Sequence, residues 1–235
     1  MSKLAITGVT LPDGSRTDLF IESGRFAKDH PIGSTVIDAD GLLALPGLVD
    51  LHTHLREPGR EDAETVESGS RAAARGGFTA VFAMANTQPV TDTAETAEHV
   101  LTLGVAANHC QVIPVGAITK ELAGRELAEL GLMHRSRARV SVFSDDGRCV
   151  MDASLMRRAF EWVRPFDGVL AQHAQDSTLA GADACCHEGE ISGRLGLPSW
   201  PPVAESVIIA RDVALAEATG SRLHVCHVST AEGVE

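Results

Sequence analysis

From residue 46 onward the chain alternates between two hydrophobic rhythms, and this alternation restricts its fold more than any other feature. An apolar run over residues 42–49 leads into a strand ending at His52. Helices are predicted over 63–75, 93–107, 121–132, 153–164 and 203–219. Between them fall apolar segments at 79–83, 111–116, 139–143, 169–171 and 222–226 that read as strands. Repeated strand–helix units point to a parallel α/β sheet. Six strands of this kind can be counted, the last ending near Cys226, and residue 235 falls partway into what reads as the next helix. Residues 1–45 follow a different pattern. Short strand candidates at 4–8, 18–21 and 36–39 are separated by turn chemistry such as Pro12-Asp13-Gly14. We therefore divide the chain into a small β segment, 1–45, and an α/β domain, 46–235.

The bulk composition excludes several classes of function. A formal net charge of −12 argues against nucleic acid or an anionic membrane as the main partner. No apolar run approaches 20 residues, and the N-terminus reads as the start of a strand rather than a signal peptide. The five cysteines are odd in number and form no C-x-x-C pair, which fits reduced thiols in a cytoplasmic protein. Cys185 and Cys186 are adjacent and poorly placed to bridge one another.

Chemistry-bearing residues gather at the C-terminal ends of the predicted strands. His52 and His54 flank Thr53, and side chains at i and i+2 of an extended strand point the same way, so two imidazoles are offered to one cation. Arg56 shares that parity and suits an anion held beside a metal. His173 follows the strand at 169–171, and His227 follows the strand at 222–226. His224, three residues before His227, falls on the opposite face and reads as structural. Four histidines from three strand ends fit a site for two metals. Asp145 and Asp146 close the fourth strand before Gly147, and residue chemistry alone leaves both open as ligands. The segment 174–200 reads as a long loop at the mouth of the site, with His187 and Glu188 as solvated loop residues. Parallel α/β barrels and open doubly wound sheets both place sites at this edge, so position alone does not choose between them.

The stretch Asp50-Leu51-His52-Thr53-His54-Leu55-Arg56-Glu57-Pro58-Gly59 resembles the opening signature of the cyclic amidohydrolases, and of the dihydroorotases in particular. The same resemblance extends through Asn86-Thr87-Gln88-Pro89, Phe143-Ser144-Asp145-Asp146-Gly147, Gln172-His173-Ala174, His187-Glu188-Gly189-Glu190, Leu195-Gly196-Leu197-Pro198 and His224-Val225-Cys226-His227-Val228-Ser229-Thr230, in that order. It implies a TIM-type (β/α)₈ barrel, of which about six strands are present here. It further implies one or two Zn²⁺ ions on His52, His54, Asp146, His173 and His227, with Asp146 as the bridge. Many amidohydrolases bridge their metals with a carbamylated lysine, but this chain has no lysine after Lys120. Substrate contacts are implied for His54, Arg56 and Asn86, the last two on a substrate carboxylate. Ala85 stands where relatives often carry proline. The implied reaction is the reversible cyclisation of N-carbamoyl-L-aspartate to L-dihydroorotate in pyrimidine synthesis. The family's acid–base aspartate is expected beyond Glu235, so no catalytic acid–base residue is assigned within the chain and the chain is expected to be incomplete. The rival readings are an allantoinase- or dihydropyrimidinase-like amidohydrolase and a silent partner of aspartate transcarbamoylase. The resemblance also admits a homodimer and association with aspartate transcarbamoylase.

Overall fold

The computed structural model describes residues 2–235. It divides into two compact units, one ending at Gly47 and one spanning Leu48–Glu235. In the first unit, β1 (Lys3–Thr10), β2 (Arg16–Glu22), β3 (Arg25–Ala27) and β4 (Thr35–Asp38) form one sheet in the order β3-β2-β1-β4. The β1–β2 turn is fixed by Asp13, whose Oδ1 accepts from the Ser15 amide at 2.8 Å, as short polar turn residues do. Strand β3 carries no alternation that the sequence could show; it exists because Gly24, at φ 75°, folds the chain back onto β2.

The second unit runs β5 (Leu48–Thr53), α1 (Val66–Arg75), β6 (Phe78–Ala83), α2 (Ala94–Ala107), β7 (Gln111–Pro114), α3 (Leu130–Arg135), β8 (Val142–Phe143), α4 (Ala153–Val163), β9 (Val169–His173), α5 (Ser177–Ala180), β10 (Cys186–His187), α6 (Glu190–Leu195), β11 (Ser199–Trp200), α7 (Val203–Thr219) and β12 (Arg222–Cys226). Helix starts follow side-chain chemistry. Thr65, Thr93 and Asp152 each accept a backbone N–H in the first turn of α1, α2 and α4, satisfying donors a bare helix end would leave open.

Strands β5, β6 and β7 pair in parallel, as do β8, β9 and β12. A parallel bridge between Gly116 and Phe143 joins the two sets, with the Gly116 amide donating to Val142 and its carbonyl accepting from Ser144. The spatial order β5-β6-β7-β8-β9-β12 thus follows the chain without reversal, unlike a doubly wound sheet, where the order reverses. The sheet is α/β and is not a closed barrel: among the described residues β5 pairs with β6 alone and β12 with β9 alone. Apolar side chains bury behind the strands in two clusters, one around Val66, Val81, Val100 and Val112, the other around Ile118, Met133, Phe143, Phe160 and Leu170.

Two predicted elements are cut short. The helix expected over 121–132 is replaced by a 3₁₀ turn at Lys120–Leu122, an irregular loop and the short α3. Glu121 and Leu122 sit at φ 55° and 54°, outside the right-handed helical region, so the helix cannot start where the periodicity places it. The strand expected over 139–143 shrinks to β8 because Arg139 sits at φ 49°, outside the extended region. The expected loop at 174–200 contains α5, α6 and the parallel pair β10–β11.

Candidate metal centre

Parallel pairing sets the strand ends side by side, and the side chains leaving those ends meet at one carboxylate. Asp146, 5% exposed, follows β8. Its Oδ1 lies 3.2 Å from His52 Nε2, 3.1 Å from His227 Nε2 and 3.5 Å from His173 Nδ1; its Oδ2 lies 3.4 Å from His54 Nε2. Ligand atoms of His52, Asp146 and His227 all fall within 4.8 Å of one another. His52 comes from the end of β5, His54 from just beyond it, His173 from the last position of β9 and His227 from just after β12.

This packing leaves nitrogen atoms without proper partners. His52 Nε2 and His173 Nδ1 are buried and make no well-aligned hydrogen bond, a costly condition that a native site normally relieves. A cation bound at about 2.0–2.1 Å by tetrahedral ligands holds them about 3.3 Å apart. The nitrogen–oxygen separations around Asp146 have that spacing. The donor set, four imidazoles and one carboxylate, is also the chemistry that zinc and similar divalent ions favour. The residues therefore fit a metal.

The electrostatics point the same way. Burial alone would push Asp146 up, but the approach of His173, the bond from His227 and the fields of His52 and His54 outweigh it and hold the carboxyl well below the usual range. Burial depresses His52 against the pull of Asp146. The nearby Asp146 carboxylate raises His173 despite its burial.

Neighbouring residues fix the rings. Asn86 Oδ1 lies 3.0 Å from His54 Nδ1, which leaves Nε2 facing Asp146. Gln175 Oε1 lies 3.2 Å from His173 Nε2. Such outer contacts select the imidazole tautomer and aim its lone pair. Asp145, the other open candidate, turns away. It is 1% exposed, accepts from the amides of Ile118 and Thr119 and from the Thr119 hydroxyl, and braces the loop after β7.

Three expectations are amended. Strand parity carries from His52 to Thr53 and stops, because β5 ends there and Arg56 lies at φ 61°; its guanidinium makes no side-chain hydrogen bond or ion pair among the described residues. Asn86 faces His54 directly, a contact the sequence did not suggest. His224, read as structural, is exposed and lines a cavity of about 350 Å³ with Phe82, Met84 and Ala171. His187 and Glu188 are exposed on and after β10. A cleft of about 450 Å³ opens beside His173, bordered by Gly147, Arg148 and Gln175.

Sequence reading gave no role to Gln172, quoted only within a motif, and missed Glu205, Arg211 and Asp212. Gln172, Glu205 and Asp212 are buried polar residues, 1%, 7% and 1% exposed. The signal available for the last two was a pair of carboxylates on the same stripe of α7 as Ile208 and Ile209.

The chain belongs to the dihydro-orotase-like family: the family profile matches residues 41–233. Relatives named dihydroorotase include that of Leifsonia xyli, 64% identical over 234 residues covering 98% of this chain and 53% of that protein. The Streptomyces coelicolor protein is 55% identical, covering 100% of this chain and 56% of its own length, and the Mycobacterium tuberculosis protein is 50% identical, covering 95% and 53%. The chain thus spans about half the length of these relatives. Solved structures of similar fold include the L-hydantoinase (dihydropyrimidinase) of Arthrobacter aurescens, with a TM-score of 0.78, 22% identity, and coverage of 100% of this chain and 55% of that one. The D-hydantoinase of a Thermus species scores 0.72 at 23% identity, covering 98% and 53%. These two show the fold.

Proposed function

We propose that the chain serves dihydroorotase chemistry, the reversible cyclisation of N-carbamoyl-L-aspartate to L-dihydroorotate, with one or two Zn²⁺ ions held by His52, His54, Asp146, His173 and His227. The observation that carries this reading is the convergence of four imidazole nitrogens on the Asp146 carboxylate, two of them buried without proper partners. Bound zinc lowers the pKa of water to about 7 and polarises a carbonyl oxygen. The chain's own residues do the rest. Asp146 stays ionised and supplies negative charge at the centre of the cluster. Asn86 Oδ1 accepts a hydrogen bond from the His54 Nδ1–H, so that imidazole presents its Nε2 lone pair. Arg56, unpaired among the described side chains, offers a planar fork of donors to a substrate carboxylate.

The unreversed strand order supports reading the sheet as six strands of a (β/α)₈ barrel, whose sites lie at the C-terminal strand ends. A carboxylate bridge is favoured over a carbamylated lysine. The one lysine of residues 48–235, Lys120, pairs with Glu126 at 2.7 Å on the exposed surface. This also sets the proposal apart from an allantoinase or dihydropyrimidinase. No described helix is long and apolar enough to cross a membrane, and all five cysteines are free thiols. Both accord with cytoplasmic chemistry on a small diffusible substrate.

The test is direct. Express the natural reading frame to its stop codon, load it with zinc, and follow dihydroorotate hydrolysis with and without dissolved carbon dioxide. Turnover that persists after carbon dioxide is removed supports the reading. Absence of turnover, or turnover that only bicarbonate restores, overturns it. Light scattering of the same preparation, alone and mixed with aspartate transcarbamoylase, tests the homodimer and the association.

A further inference from the structure

We infer that helix α7 is the positioning element of the metal centre, acting through two buried carboxylates seven residues apart, Glu205 on His227 and Asp212 on His173. The inference rests on the metal-site reading above and concerns residues that touch neither the cluster nor a substrate.

Glu205 and Asp212 lie two turns apart on the buried stripe of α7, with Ile208 and Ile209 between them. Apolar packing alone does not fix a helix along its axis, because it is non-directional. Hydrogen bonds to a charged acceptor are directional and roughly twice as strong as neutral ones. Glu205 uses both oxygens on the loop that follows His227. It accepts from the Ser229 amide at 3.0 Å, the Thr230 amide at 3.0 Å and the Thr230 hydroxyl at 2.7 Å, and also from the Ser229 hydroxyl. His227 itself sits at φ 55°, a conformation that a residue other than glycine holds only when its surroundings impose it. Clamping Ser229 and Thr230, two and three residues on, is what imposes it.

Asp212 acts on the other side. Its Oδ2 accepts from Gln172 Nε2 at 2.8 Å, and Gln172 immediately precedes His173. Its Oδ1 accepts from Arg211 Nε at 2.8 Å. The Arg211 guanidinium then donates to the carbonyls of Met151 and Val150, each at 2.8 Å, at the end of the segment that leaves Asp146. The first turn of α7 adds a third tie, the Ala204 carbonyl accepting from the Asp176 amide at 2.8 Å. One helix thereby fixes the segments carrying His227, His173 and Asp146 relative to one another.

The experiment measures zinc affinity of the protein expressed from its natural reading frame by competition with a chromophoric chelator, and the visible absorption of bound Co²⁺. Thermal unfolding of the metal-free protein is followed in parallel. Glu205→Gln and Asp212→Asn are each expected to weaken zinc about ten- to hundredfold, the usual effect of losing an outer contact, and to alter the cobalt spectrum. Because Glu205 works through His227, Glu205→Gln should cost nothing further in a His227→Ala background. Thr230→Val leaves α7 untouched and should weaken zinc in the same direction, which keeps the test decisive where a helix variant fails to fold. Folded variants that bind zinc within about twofold of the parent with its cobalt spectrum, or a second loss of affinity on top of His227→Ala, overturn the inference. A parent chain that takes up no zinc overturns the metal-site reading itself.

Discussion

Asn86 and His54 meet through Oδ1 and Nδ1 at 3.0 Å, so the residue after β6 sets the tautomer of a histidine after β5. Asn86→Ala removes the acceptor and frees the ring to turn. The expected result is a zinc affinity about ten- to hundredfold weaker, read by chelator competition. Asn86→Asp keeps an acceptor and should retain most of the binding. An alanine variant with unchanged affinity would assign Asn86 to substrate alone.

Arg56 should behave in the opposite way. It carries no ligand atom suited to a cation and makes no side-chain bond among the described residues. Arg56→Ala in the natural reading frame is expected to leave metal content unchanged by elemental analysis. Losing a charged hydrogen-bonding partner costs about 1.5–3 kcal/mol, so kcat/KM should fall roughly ten- to hundredfold. Loss of zinc, or normal kinetics, would remove Arg56 from the substrate site.

Acid sensitivity follows from Glu205. Burial pushes its carboxyl up, but the donors from Ser229 and Thr230 together outweigh it, and the net shift is down. A folded-state value below the unfolded one, about 4.3, gives stability that is present above that pH. The stability is lost as pH falls through the folded value. Glu205→Gln should therefore be less stable than the parent at neutral pH and lose less stability below about pH 4.3. Urea midpoints measured across the acid range check this; parallel curves for the two proteins would show that Glu205 is not shifted.

Gly116 tests the seam between the two strand sets. A Cβ there would stand 2.8 Å from Met133 Sδ and 2.8 Å from Phe143 Cδ1. Both neighbours are fully buried. Overpacking of this kind costs about 1–3 kcal/mol, so Gly116→Ala should lower the thermal midpoint of the metal-free protein. An unchanged midpoint would mean that the seam relaxes freely.

The parallel sheet was legible because each strand and most helices carry their own local signal. Helix α7 spans the predicted range 203–219, and β12 the predicted range 222–226. The stretch around 121–132 was misread because Glu121 and Leu122 adopt positive φ, a backbone choice that apolar periodicity does not register. The cluster around Asp146 was legible for a different reason: parallel strands put their C-terminal ends together, so residues at those ends become neighbours. Direction within that cluster was not legible. Asp145 and Asp146 are equivalent on paper, and only the position of Ile118 and Thr119 decides which carboxylate turns inward. Arg56 was misaligned for a similar reason, since a positive φ interrupts the two-residue rhythm on which its placement rested.

His52 leaves the first strand of the parallel series and His227 the last, yet their rings stand with centroids 4.5 Å apart. Ligands carried by the first and the last strand of the series therefore belong to one site, and a cation held by both would tie segments separated by most of the chain. Closing so long a loop restricts the unfolded ensemble most, so bound metal would add to the stability of the whole strand series and not only to the cluster around Asp146.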